Sequence, residues 1–238
     1  MKYKEIPLNE RIIFALDVDS LTKCEKWLDT LGNHINFFKV GLELFVSEGF
    51  DAVNLVIERG HKVMVDLKFF DVPQTVGSAI KALSKHKITF TTIHGNESII
   101  KAAVSTKQNE MKLLAITVLT SFGQDDMKTM GINKSVEDLV FDMAKRAVNL
   151  GCDGVVASGL EAHQLRTGLN DDFLIVTPGI RSITDTKINE DDQKRIMTAQ
   201  QAIINGADHI VVGRPIRTAK EPLSIVCKMQ EEIQKSIY

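Results

Sequence analysis

Short runs of β-branched and aromatic residues alternate along this chain with longer stretches whose apolar positions recur every three to four residues. The runs at residues 12–18, 36–41, 62–68, 88–94, 111–119, 154–158, 173–177 and 209–212 predict strands that are apolar on both faces. The periodic stretches predict helices over 21–31, 52–59, 74–85, 97–105, from Ser135 to Gly151, over 161–165 and 194–204, and from Pro222 onward. Ser135, three residues before Asp138, suits a helix N-cap, and Leu139, Val140, Met143, Ala144, Ala147 and Val148 then form one apolar stripe. Gly32, Gly60, Gly151 and Gly206 each fall just past a helical stripe. A left-handed residue that closes a helix there is most easily glycine.

Eight strand–helix units in 238 residues place the chain in the α/β class, as a single (β/α)8 TIM barrel with its active site at the C-terminal ends of the strands. An open doubly wound sheet is disfavoured because no Gly-x-Gly-x-x-Gly follows the first strand. No Pro/Ser/Gly-rich linker divides the chain, so residues 1–238 read as one domain. Composition adds exclusions: 44% hydrophobic, 25% charged and a net charge of -2 describe a globular protein with no basic face for nucleic acid. No apolar run approaches the ~18 residues of a membrane span, and Asp17 and Asp19 cut short the early one at 12–16, so neither membrane nor signal peptide is expected. Three scattered cysteines, Cys24, Cys152 and Cys227, read as free thiols of a cytoplasmic protein, and the six histidines show no metal-ligand spacing.

Charge is most unusual at the end of the third strand, in Asp66-Leu67-Lys68-Phe69-Phe70-Asp71, continued by Val72-Pro73-Gln74-Thr75. Residues two apart on a strand leave the same side, so Asp66 and Lys68 should lie together. Charges beside apolar sequence reduce stability unless they are paired and used. The other predicted strand ends carry Asp17, Lys39, His94, then Thr120 and Ser121, then Pro178, Gly179 and Arg181, and finally Gly213 and Arg214. The opposite ends read as glycine and ordinary polar residues. Lys39, inside an apolar strand, is expected to meet Asp17 or Asp66. Of the two early acids, Asp17 is assigned to ligand contact and Asp19 to capping the first helix. The two arginines and the glycines after strands seven and eight predict a phosphate-ester site. The polar segment 182–192 reads equally as a closing lid or a plain loop.

These motifs, in this order, resemble the orotidine 5'-monophosphate decarboxylases of the bacterial type. The likeness rests on Asp66-x-Lys68-x-x-Asp71 with Val72-Pro73-Gln74-Thr75, and on Phe38-Lys39-Val40-Gly41, Leu119-Thr120-Ser121, Thr177-Pro178-Gly179-Ile180-Arg181, Asp192-Gln193-Lys194-Arg195 and Val212-Gly213-Arg214. It implies conversion of orotidine 5'-monophosphate to uridine 5'-monophosphate and carbon dioxide without metal or organic cofactor. It also implies a homodimer in which Asp71 and Thr75 complete the neighbouring subunit's site. Lys39, Asp66, Lys68 and the partner subunit's Asp71 would form a charged array. Asp17 and Lys39 would hold the ribose, Thr120 and Ser121 the pyrimidine edge, and Arg181, Gln193, Gly213 and Arg214 the phosphate. The chain departs from the family after the fourth strand, with His94-Gly95-Asn96-Glu97 in place of His-Ala-x-Gly-Gly, which assigns His94 a structural role.

The chemistry fits that resemblance. Loss of carbon dioxide leaves a ring carbanion, and an ammonium among carboxylates can stabilise it and then supply a proton. Two rival readings share the barrel. One is a metal-dependent sugar-phosphate decarboxylase or aldolase, against which the Pro73-Gln74-Thr75 continuation and Thr120-Ser121 argue. The other is a phosphate-binding barrel without catalysis, which would gain little from a lysine between acids.

Overall fold

In a computed structural model, which describes residues 3–169, 172–181 and 197–237, the eight predicted strands pair in parallel and in chain order, and the last returns to the first. They are β1 (Ile12–Ala15), β2 (Phe37–Gly41), β3 (Lys62–Phe69), β4 (Phe90–His94), β5 (Lys112–Ile116), β6 (Gly154–Val156), β7 (Leu174–Thr177) and β8 (His209–Val212). Helices surround this closed barrel: α1 (Leu8–Arg11), α2 (Leu21–Leu31), α3 (Leu42–Glu48), α4 (Phe50–Glu58), α5 (Pro73–Leu83), α6 (Glu97–Thr106), α7 (Gln124–Thr129), α8 (Val136–Asn149), α9 (Gly159–Gly168), α10 (Ala199–Ile204), α11 (Arg214–Arg217) and α12 (Pro222–Ile237). No described helix is long and apolar enough to cross a membrane.

Strand parity divides the apolar residues into two cores. Ile12, Phe14, Phe38, Val40, Val63, Val65, Ile93, Leu113, Val155, Ile175, Ile210 and Val212 face outward into the helix layer. Ile13, Phe37, Met64, Phe90, Leu114 and Val176 face inward and fill the barrel. Because both faces are buried, the strands read in sequence as continuous apolar runs. The runs at 12–18 and 111–119 overshoot β1 and β5: Leu16 and Val18 stay buried beyond β1, and Thr117 beyond β5. The inward core is the floor on which the site stands.

Three expectations need correction. Gly60, Gly151 and Gly206 are left-handed (φ 82°, 94° and 105°), but Gly32 is not. Gly32 is right-handed (φ -61°), and a Cβ there would lie 2.6 Å from the Leu28 carbonyl oxygen and 2.8 Å from His61 Nε2. Close packing, not a positive φ, requires that glycine. Asp19 does not cap α2: Ser20 is the N-cap residue without a side-chain bond, and Asp19 pairs with Lys23 on the surface. Finally, the N-terminal end of the barrel is far from ordinary. Buried Asp208 pairs with Arg166 and with Lys4, Glu10 with Lys62, and Asp153 with Lys107 and Lys112. Asp208 also accepts from the Ile175 amide, and Asp153 from that of Leu113, so these charges tie loops and strand starts together.

His209 lies in the inward core, edge-on to Phe37 and Phe90, with its ring nitrogen Nδ1 2.8 Å from the Glu10 carbonyl oxygen. Burial pushes its imidazole down to about 4, against the opposing pull of the Glu10 carbonyl and Asp208. An unfolded histidine titrates near 6.5, so the unfolded chain binds the extra proton first as pH falls. The contribution is complete above about pH 6.5 and is lost toward pH 4, up to roughly 3 kcal/mol. Urea midpoints measured at pH 7 and pH 5 should therefore fall more for the native chain than for His209→Gln. Equal falls would remove His209 as the cause.

Candidate active site

The C-terminal ends of the strands open into a cavity of about 280 Å³. Its wall is set by the same parity that fills the floor: Ala15 and Asp17 follow Ile13, Lys39 follows Phe37, and Asp66 and Lys68 follow Met64. Apolar Ile116, Val118, Val156 and Val211 supply another part of the lining. A flat apolar ring could thus be covered on one side while its polar edge meets charge.

Asp66 is the centre of the charged group. It is buried, and its carboxylate accepts from Lys68 Nζ at 2.9 and 3.0 Å and from the Thr92 hydroxyl at 2.9 Å. Lys39 Nζ, also buried, lies 3.7 Å from Asp66 and 3.2 Å from Asp17. The sequence left Asp17 and Asp66 as alternatives for Lys39, and the ammonium bridges both. Burial pushes the Asp66 carboxyl up, but the two ammoniums and the hydrogen bonds from Lys68 and Thr92 outweigh it and hold the group below the usual carboxylate range. Gly41 makes room for this arrangement, since a Cβ there would fall 2.7 Å from Lys39 Nζ.

Lys68 reaches Asp66 through an irregular backbone. Between Val65 and Phe69 the β3 register shifts against β4, so four steps of β3 span two steps of β4, from Thr91 to Ile93. Lys68 sits in the shift with φ 50°, a left-handed conformation that disfavours an L side chain by roughly 1–2 kcal/mol. Simple alternation places Asp66 and Lys68 on one side, and their charged ends meet there at 2.9 Å.

Pro178, Gly179, Arg181, Gly213 and Arg214, the residues of the phosphate reading, all line the same cavity, with Gly213 next to Asp17: a Cβ there would lie 3.2 Å from Asp17 Oδ2. Gly179 has φ 81°, which a turn at this point reserves for glycine. Arg181 donates to the Ile180 carbonyl, and its backbone amide to that of Met197, which fastens the loop after β7. Arg217, which sequence reasoning overlooked, also lines the cavity, one turn after Arg214 in α11. Thr120 lines the cavity too, whereas Ser121 is exposed and outside it. Asp71 and Thr75 are exposed and do not join the cavity of their own chain; Asp71 accepts instead from the Val72 amide at 2.6 Å. Gln193, with the segment 182–192 and the residues Lys194 and Arg195, lies outside the described residues.

His94 packs on exposed Phe70, ring centres 4.4 Å apart. The neighbouring Gly95 has a local reason: a Cβ there would meet the Met143 methyl carbon at 2.8 Å and the Ile116 carbonyl oxygen at 2.8 Å. Glu97 pairs with Lys101 on the surface of α6. The clearest omission of the sequence reading is Thr92, which is buried and contacts both members of the charged pair. Its signal was parity: it lies two residues before His94, in a strand next to β3.

Comparison with known proteins gives a consistent result. Residues 10–229 match the family described as "Orotidine 5'-phosphate decarboxylase / HUMPS family". An orotidine 5'-phosphate decarboxylase of Methylococcus capsulatus is 46% identical over 232 residues, covering 97% of this chain and 95% of its own. One of Xanthomonas axonopodis pv. citri is 42% identical over 241 residues, covering 100% and 98%. Among solved structures, an orotidine 5'-phosphate decarboxylase from Lactobacillus acidophilus superposes with a TM-score of 0.81 at 36% identity, covering 94% of this chain and 99% of that one.

Proposed function

The chain belongs to the orotidine 5'-phosphate decarboxylase / HUMPS family, and we propose that it is a carboxy-lyase acting on orotidine 5'-monophosphate. The products are uridine 5'-monophosphate and carbon dioxide, in pyrimidine biosynthesis. The observation that carries this reading is the Lys68 ammonium, held on Asp66 within a cavity that Arg181, Arg214, Gly179 and Gly213 also line.

The geometry suggests how the steps divide. Arg181, Arg214 and Gly213 take the phosphate, with Pro178 beside them and Gln193 carried over from the family pattern. Asp17 and Lys39 face the ribose, and Thr120 with Ser121 the pyrimidine edge. The bond from the ring to the carboxyl group breaks, carbon dioxide leaves, and the electron pair remains on the ring carbon. Lys68 stabilises that charge and then transfers a proton to the same carbon; solvent restores the ammonium. Lys39 and Asp66 fix the position of Lys68 before substrate enters, so little reorganisation is needed during the reaction. Phosphate binding, remote from the breaking bond, supplies energy for aligning the base.

We further infer a homodimer that works in the cytoplasm, in which Asp71 and Thr75 serve the adjacent site. Support comes from exposed apolar Phe70 and Val72 beside Asp71, and from exposed Leu42 and Val46 after the neighbouring strand. The described cysteines are unpaired, as a reducing compartment would keep them.

The direct test follows the ultraviolet absorbance of orotidine 5'-monophosphate with purified protein, with and without a chelator. Turnover should be the same in both, and orotidine lacking the phosphate should react at least about 100-fold more slowly. No turnover would refute the reading and favour the sugar-phosphate or non-catalytic barrel, and turnover abolished by the chelator would refute its independence of metal.

A further inference from the structure

The register shift in β3 interrupts the ladder to β4 where the reactive lysine sits, so the Lys68 backbone needs another anchor. The anchor is a side chain. The Lys68 amide donates to Thr92 Oγ1 at 2.9 Å, and that hydroxyl donates to Asp66 Oδ1 at 2.9 Å. The same oxygen of Asp66 accepts from Lys68 Nζ at 3.0 Å. A closed circuit results, from the Lys68 amide through Thr92 and Asp66 back to the Lys68 ammonium. Thr92 is fully buried, and its hydroxyl acts as both donor and acceptor. Among the described residues Lys68 is the one non-glycine with positive φ, so its conformation must be imposed by its surroundings.

We propose that Thr92 is a positioning residue for decarboxylation, whose hydroxyl locks the left-handed backbone of Lys68 and the carboxylate of Asp66 into one unit across the β3–β4 seam. Its catalytic consequence rests on the decarboxylase reading above; the locking itself rests on geometry alone. Thr91 provides the contrast. It is equally buried, and its hydroxyl donates to the Val65 carbonyl at 3.0 Å, a tie between strands that touches neither charged group. Loss of either hydroxyl removes one buried side-chain anchor, but only Thr92 should affect the reactive ammonium.

Valine is nearly the shape of threonine without the hydrogen bonds. In Thr92→Val, kcat should fall by about 10- to 100-fold with KM changed by less than about threefold, because a misplaced acid weakens the transition state more than binding. Thr92→Ser should restore most of kcat, and Thr91→Val should retain it. The acid limb of the pH–rate profile should move to higher pH in Thr92→Val alone. Asp66 there loses a donor, while Lys39, Lys68 and, beyond Lys39, Asp17 remain around it. Independently of activity, hydrogen exchange of the Lys68 amide should quicken by about tenfold or more in Thr92→Val and stay slow in Thr92→Ser and Thr91→Val. If valine prevents folding, Thr92→Ala takes its place with the same expectations. Unchanged exchange at Lys68, or equal loss of kcat in Thr91→Val and Thr92→Val, would overturn the proposal. A native chain that fails to decarboxylate its nucleotide would instead refute the decarboxylase reading and leave the exchange measurement to decide the lock.

Discussion

Lys68→Ala should reduce turnover of orotidine 5'-monophosphate by on the order of 10⁴-fold, because one group is assigned two tasks. It stabilises the developing carbanion, and it supplies the proton that ends the reaction. Mutation of a single preorganised donor typically costs 10²- to 10³-fold, and loss of a positioned general acid about 10²- to 10⁴-fold. The effects overlap, so they should not simply multiply. KM should change much less, since Arg181, Arg214 and Gly213, which are assigned to the phosphate, line the cavity without depending on the Lys68 side chain. The fold should survive. Asp66 keeps Lys39 at 3.7 Å and the Thr92 hydroxyl at 2.9 Å, and the inward core below does not involve residue 68. Steady-state kinetics with a circular-dichroism check of folding decides the matter. A folded Lys68→Ala protein within tenfold of native turnover would end the assignment of Lys68 as acid and stabiliser.

The amino-acid pattern made this site legible because charge is conspicuous in a barrel strand. Lys39 interrupts Phe37-Phe38 and Val40, and Asp66 follows Val63-Met64-Val65, so each had to be paired. Strand parity put Asp66 with Lys68, the predicted strand ends put Asp17 and Lys39 at the same rim, and the structure brings all four into one cavity. Thr92 escaped for the opposite reason. Threonine is ordinary in a strand, and parity, which puts Thr92 on the face of Phe90 and His94 and Thr91 on the other, does not by itself say that Thr92 holds a charged pair while Thr91 ties two strands. The register shift that makes Thr92 matter is a relation between two strands and has no signature in either. Short helices were missed for a related reason: α1 and α11 have four residues each and α7 six, too few to display a helical period. The ion pairs at the N-terminal end were overlooked because Lys4, Arg166 and Asp208 are distant in sequence and none interrupts an apolar run.

Asp71 poses the question one chain cannot answer, and mixing two inactive variants answers it. Its carboxylate is exposed, turned to its own Val72 amide and outside the cavity, although the sequence places it three residues after Lys68. If it acts, a second subunit brings it to a cavity, and the exposed apolar side chains of Phe70 and Val72 on either side give that subunit a surface to cover. Asp71→Ala and Lys68→Ala homodimers should each be nearly inactive, because every site lacks one member of the array. In a mixed dimer, the Lys68 of the Asp71→Ala subunit meets the partner subunit's Asp71, and one site of the two is complete. Random exchange of equal amounts makes half the dimers mixed, so activity should return to about one quarter of the native value. Were both residues to serve their own subunit, every mixed dimer would carry two damaged sites. Activity that stays at the level of two inactive parents after exchange, with mixed dimers verified by mass spectrometry, would therefore confine each site to one chain and overturn the shared site; an Asp71→Ala parent with native turnover would leave Asp71 without a catalytic role.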